Sequence, residues 1–116
     1  MKATRLLSAT ALTWGYLASS VLPMPEIASG DGIVHADTVA CLARTDDFVS
    51  TLDVSIEAGR IDRTGYFGDG SFRILCYPNP YGDTSQSLVV IFAAHEHDFE
   101  VADTFVQIAV DQIADQ

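Results

Sequence analysis

The 116-residue sequence predicts a small α+β domain, a two-layer sandwich in which a helix, two or three antiparallel strands and a second helix follow one another. Three observations predict it: an amphipathic helical pattern from residue 37, strand-like runs between residues 71 and 94, and a second amphipathic pattern near the end. Strands grouped between helices are typical of α+β domains, in which helices cover an antiparallel sheet.

The first predicted helix covers residues 37–59. At 100° per residue its acidic side chains fall opposite an apolar arc that contains Cys41, Leu42, Phe48, Val49, Leu52 and Ile56. Asp37 or Thr38 suits the N-cap, and Gly59 followed by Arg60 suits the C-terminal end.

The strands are predicted from the segments that follow. Glycine-rich residues 60–70 predict a loop or a short edge strand, and residues 78–83 predict a turn. Residues 71–77 alternate between two faces, one of which carries Phe72, Ile74 and Cys76. Residues 87–94 form a nearly unbroken apolar run, which predicts a central strand buried on both faces.

The second predicted helix covers residues 98–115, with Asp98 as its N-cap. Glu100 lies in the first turn, where the helix dipole favours a negative charge. The apolar side of this helix is formed by Val101, Ala102, Phe105, Val106, Ala109 and Ile113.

The first 36 residues have the layout of a secretory signal. Lys2 and Arg5 precede an uncharged, mainly apolar run over residues 6–22, and prolines and small residues follow it. Val34-His35-Ala36 predicts cleavage after Ala36, which leaves residues 37–116 as the mature domain, and residues 31–36 have no expected packing role. Ala28-Ser29-Gly30 and Ala18-Ser19-Ser20 are earlier candidate sites. We expect a periplasmic or secreted protein.

The two cysteines of the sequence, Cys41 and Cys76, both fall on faces predicted to point inward. An even number of cysteines in an exported domain indicates a disulfide. A redox-active pair normally has closely spaced cysteines and a lowered thiol pKa, and 34 residues separate these two. The sequence therefore predicts a structural disulfide.

The predicted mature part is strongly acidic. It contains fourteen acidic residues against four arginines and no lysine. This charge opposes binding to nucleic acid and to anionic membranes, so we expect no stable membrane association after the signal is removed. It favours solubility, and it permits a protein partner or a ligand that carries positive charge.

His95 and His97 are the candidate metal ligands of the sequence. They would point the same way if a strand continued through them, and a neighbouring carboxylate such as Glu96 could complete a site. The other interpretation is an exposed loop in which Asp98 caps the following helix. Both interpretations stay open on sequence alone.

No catalytic motif is found in the sequence. It has no Gly-x-Ser-x-Gly turn, and the glycine-rich segment 65–70 lacks the lysine of a phosphate-binding loop. We therefore expect no cofactor and a non-enzymatic binding module, with a metal-binding protein as the alternative. Four aromatic residues could form a recognition patch or could simply cover a thin core, namely Tyr66, Phe67, Tyr77 and Tyr81.

Overall fold

The computed structural model describes residues 25–83 and 85–115. The elements are β1 (Glu26–Val34), α1 (Thr38–Ser50), β2 (Ile56–Ala58), β3 (Asp62–Phe67), β4 (Gly70–Pro78), β5 (Ser87–His95) and α2 (Phe99–Ile113). The strands form one antiparallel sheet in the order β1-β5-β4-β3-β2. The predicted α+β class and antiparallel pairing are confirmed, but the sheet has five strands rather than two or three.

Helix α1 begins where the sequence predicts, because the Asp37 carboxylate accepts a hydrogen bond of 2.9 Å from the Ala40 backbone N–H. It ends at Ser50, so the prediction that it continues to Gly59 is wrong. The Thr51 backbone N–H and hydroxyl both donate to the Phe48 carbonyl, and this closes the last turn. Asp53 then adopts a positive φ of 56°, which a helix does not allow.

Strand β1 lies in the segment that the sequence analysis assigned to the leader. It pairs with β5 along its whole length, from Glu26 opposite His95 to Val34 opposite Ser87. The Val34 side chain is fully buried. The prediction that residues 31–36 have no packing role is therefore wrong, because the strand that pairs with β5 extends from Glu26 to Val34, ahead of the predicted domain start at Asp37.

The end of the chain is bonded to the end of β1. The Asp115 backbone N–H donates to the Ile33 carbonyl at 2.9 Å, and its carboxylate accepts from the His35 backbone N–H at 2.6 Å. Arg44 donates to the Asp115 carboxylate at 3.0 Å. The hydrogen bond from the His35 backbone N–H, and after it the one from Arg44, lower the pKa of Asp115 because they stabilise its charged carboxylate.

A disulfide joins Cys41 of α1 to Cys76 of β4, as predicted from the sequence, with a Cα–Cα distance of 6.1 Å. Both cysteines are fully buried. An ion pair makes a second link between α1 and the sheet, because the Arg63 Nε of β3 donates to the Asp46 carboxylate at 2.6 Å. The hydrogen bond to Asp46 raises the pKa of Arg63.

Helix α2 begins after Asp98, whose carboxylate accepts a hydrogen bond of 2.9 Å from the Glu100 backbone N–H, as predicted. Phe105 extends from this helix to an aromatic cluster, with ring centroids 4.6 Å from Phe72 and 5.6 Å from Phe67. The buried side chains of the helix are Ala102, Val106, Ala109 and Ile113. Within the described residues, no helix is both long enough and apolar enough to cross a membrane.

Burial alternates along β5, so the prediction that both of its faces are buried is wrong. Buried positions are Ser87, Val89, Ile91 and Ala93. Both helices contact this face of the sheet, α1 through the disulfide to Cys76 and α2 through the ring of Phe72. The intervening positions of β5 point to the opposite face.

We predict that replacing both cysteines, Cys41→Ala with Cys76→Ala, lowers the free energy of unfolding by about 2–5 kcal/mol, because the crosslink no longer restricts the unfolded chain. Urea unfolding of the oxidised wild type and of the double variant measures the difference. Labelling of both cysteines of the wild type without prior reduction would contradict the disulfide.

We predict that Gly32→Val lowers the free energy of unfolding by about 1–3 kcal/mol through overpacking. A Cβ at Gly32 would lie 2.5 Å from the Cβ of Ala114, the C-cap of α2, so the end of the helix has to move. Gly82→Val is the matched control, because nothing lies within 4 Å of a Cβ there. Equal urea midpoints for the two variants would show that α2 does not approach β1 this closely.

Candidate binding surface

The face of the sheet opposite the helices is uncovered in the part of the chain that the structure describes. We call it the open face and define it by the outward side chains of its two central strands, which the register places together: Ser71, Arg73, Leu75, Tyr77, Leu88, Val90, Phe92 and Ala94. Phe92 is 45% exposed and Tyr77 39% exposed. Most of these side chains are apolar, so an extended apolar surface faces solvent.

The flanking strands enlarge this apolar surface at one end. Ile27 of β1 lies opposite Ala94, and Tyr66 of β3 lies opposite Ser71. Ile27 is 61% exposed and Tyr66 57% exposed. Together with Phe92 they line a shallow groove of about 460 Å³.

The carboxylates of the open face lie at its margins. The outward positions of β4 and β5 carry no carboxylate. The register places Asp31, Asp62 and Glu57 outward on the three flanking strands β1, β3 and β2. The cation at the centre, Arg73, lies 3.7 Å from Asp62. The surface thus has an apolar centre and an acidic rim.

The four aromatic residues singled out from the sequence do not form one patch. Tyr66 and Tyr77 lie on the open face but at opposite ends of it. Phe67 lies on the other face, where its ring stacks on Phe72. Tyr81 is 84% exposed in the loop between β4 and β5.

The sequence analysis missed Phe92, Val90 and Leu88 as surface residues. They belong to the apolar run of residues 87–94, which was assigned to a strand buried on both sides. Ile27 was missed because β1 was assigned to the leader. The signal that could have identified them is the predicted antiparallel pairing, because an antiparallel sheet commonly packs one face on the core and leaves the other face in solvent.

The two histidines lie at the end of β5, where the chain turns into α2. Their ring centroids are 6.1 Å apart. Nδ1 of His95 accepts hydrogen bonds from the backbone N–H groups of His97 and Asp98, at 3.1 and 3.0 Å. His95 therefore organises the loop that leads to the N-cap of α2.

His97 lies among carboxylates at the same end of the sheet. Its Nε2 is 3.8 Å from the nearer oxygen of Asp69 and 3.7 Å from that of Glu96. The described residues contain no group of three or more His, Cys, Asp or Glu side chains that could hold a metal ion. Metal binding by His95 and His97 stays the alternative hypothesis from the sequence.

A second groove, of about 370 Å³, lies between the helices and is lined by Arg44, Asp47, Phe48, Thr51, Leu52, Ile108 and Gln112. Arg44 in this groove is already engaged by Asp115 and by the Ile113 carbonyl. This groove has a smaller volume and a more polar lining than the groove on the open face, so we regard the open face as the candidate site.

Comparisons of the chain with protein-family models, with curated proteins and with solved structures give no match. Its function is therefore argued from its own residues.

We predict that titration with Zn²⁺ gives no dissociation constant below about 10 μM, an affinity that corresponds to roughly 7 kcal/mol. The reason is that Nδ1 of His95 accepts from two backbone N–H groups, which in the neutral ring leaves the proton on Nε2, and the described residues bring no third ligand to the pair. Isothermal titration calorimetry of the wild type and of the His95→Ala, His97→Ala double variant is the measurement. Tighter binding that the double variant loses would favour the metal-binding alternative.

Proposed function

We propose that this protein is an exported, non-enzymatic module that binds another protein through the open face. The observation that supports the proposal best is the combination of an apolar centre on β4 and β5 with carboxylates on the flanking strands. Protein interfaces have a similar organisation, in which a desolvated apolar core is surrounded by a polar rim. A contiguous exposed apolar patch on a soluble domain is typical of an interaction site.

The proposal includes the architecture that makes such a surface available. In the two-layer sandwich that we propose, α1 and α2 form one layer and the sheet forms the other. Phe92 and Val90 then remain on the outer side of the sheet, without a third layer over them. A partner that covers this side would bury the apolar side chains that folding leaves exposed, which is favourable by roughly 25 cal/mol per Å² of apolar surface.

The proposed partner is a cationic protein. All sixteen acidic residues of the chain lie between Glu26 and Asp115, where four arginines are the only opposing charges apart from the histidines. A partner with lysine or arginine around an apolar centre would match both parts of the open face, and electrostatic attraction would accelerate association at low salt. Nucleic acid and anionic membranes would be repelled.

The proposed location is the periplasm or the exterior of the cell. A disulfide persists in an oxidising compartment, and Cys41–Cys76 is compatible with one. The charged start and apolar run of the first 22 residues, which lie outside the described part of the chain, have the sequence layout of a secretory signal.

We predict that Phe92→Lys reduces capture of the partner at least tenfold, a loss of about 1.4 kcal/mol or more in binding free energy. The substitution replaces an apolar ring at the centre of the open face by a charge that repels a cationic partner. Immobilised wild type and variant are incubated with periplasmic extract at low and at high salt, and the bound proteins are quantified by mass spectrometry.

Val39→Lys is the matched control for this experiment. Val39 is 75% exposed on α1, away from the open face, and its replacement changes the net charge by the same amount. We expect this variant to retain the partner, and we expect high salt to weaken capture by the wild type. Equal losses in both variants, or retention that ignores ionic strength, would refute the proposal. Thermal unfolding of each variant confirms that it is folded.

A further inference from the structure

An exported chain keeps this fold only if the cut leaves all strands of the sheet in the mature protein, and β1 limits the choice of site. Of the three candidate signal-peptidase sites, Val34-His35-Ala36 lies at the end of β1 and beyond it, and Ala28-Ser29-Gly30 lies within it. Cleavage after Ala36 removes the whole strand, and cleavage after Gly30 removes its first half. Ala18-Ser19-Ser20 lies before the strand begins at Glu26.

The loss of β1 would uncover the centre of the domain. β5 would become an edge strand, and those of its backbone N–H and C=O groups between Ser87 and His95 that bond to β1 would lose their partners. An exposed edge strand is a template for pairing with other chains and promotes aggregation. The side chains of Ala28 and Val34 would no longer contribute to the hydrophobic core, in which both are buried.

The contacts of β1 with the C-terminal part of the chain would be lost as well. Val106 of α2 packs directly above Gly30, where an added Cβ would lie 2.7 Å from its side chain. Asp115 would lose the Ile33 carbonyl and the His35 N–H. Even the loop after β1 contributes, because the buried Ser87 hydroxyl donates to the Ala36 carbonyl at 2.7 Å.

The remaining candidate site also fits the dimensions of a signal peptide. The apolar run that precedes Ala18, from Leu6 to Leu17, is within the usual range of about 7–15 residues. Ala18 and Ser20 supply the two small side chains that the peptidase requires.

We infer that the signal peptidase cleaves after Ser20, so that the exported chain begins at Val21 and carries β1 complete. This inference rests on the export that is part of the proposed function. The cleavage site lies outside the described residues. It is chosen because, of the three candidate sites, it alone leaves β1, which the structure does describe, complete.

The full-length chain is expressed in a bacterial host with a general secretory pathway, and periplasmic protein is analysed by intact mass and by N-terminal sequencing. The expected result is an N-terminus at Val21 and a mass that rises by two hydrogens on reduction. An N-terminus at Asp31 or Asp37, or at any other residue, in periplasmic protein overturns the inference while export stands. Uncleaved protein confined to the cytoplasm overturns the inference and the proposed export together.

Two matched variants test the site directly. Ser20→Leu places a large side chain at the position before the cut, so we expect unprocessed precursor to accumulate at least tenfold over wild type. Ala36→Val enlarges the equivalent position of the later site, and we expect its processing to match the wild type. The opposite pattern overturns the inference.

Two chains, each fused to the same foreign leader, test whether the fold requires β1. This test does not depend on which cleavage site the natural leader uses. The chain that begins at Val21 is expected to accumulate with no reactive thiol. The chain that begins at Asp37 is expected to be degraded or to react with a thiol reagent. Equal accumulation of both chains as oxidised, cooperatively unfolding protein overturns the inference.

Discussion

Gly30 and Gly32 on the inner side of β1 allow α2 to lie against the sheet at a distance that any side chain would prevent. With α2 in that position, Phe105 reaches the ring of Phe72 and Asp115 reaches the backbone after β1. α1 is held to the same side of the sheet by the disulfide and by the ion pair between Arg63 and Asp46. Both helices therefore contact one face of the sheet, and within residues 25–83 and 85–115 nothing covers the apolar side chains of its other face.

The elements that the sequence predicted well are those in which local signals and tertiary contacts agree. Asp37 and Asp98 cap the two helices, and Phe72, Ile74 and Cys76 occupy the buried face of β4. β1 was not predicted because its inward positions include two glycines. Without apolar side chains at those positions, the alternation that identifies a strand is missing from the sequence.

The overlong prediction for α1 has a different cause. Leu52 and Ile56 extend the helical arc by one more turn, and both do pack against the core. Ile56 reaches it from β2, however, because the chain reverses through Thr51 and Asp53. A helical spacing of apolar residues indicates which side chains face the core. It does not show whether a helix or a strand carries them.

The candidate site was predictable only in part. The acidic charge followed from the sequence, which also named Tyr66 and Tyr77 without deciding between a recognition patch and cover for the core. The exposure of Phe92 did not follow, because it depends on which face of the sheet the helices contact. The histidine pair was visible as residue types, but the hydrogen bonds that occupy Nδ1 of His95 depend on the geometry of the loop.

The topology places the first strand of the described chain beside the last. β1 pairs with β5 across a sequence separation of about 60 residues, and pairings between distant segments are slow to form because a long loop must close first. A chain that crosses a membrane from its N-terminus would present β1 long before its partners, β5 and α2. β1 would therefore remain unpaired, as a mostly uncharged segment, until translocation is nearly complete. In that interval it would be the segment most exposed to chaperones and to aggregation.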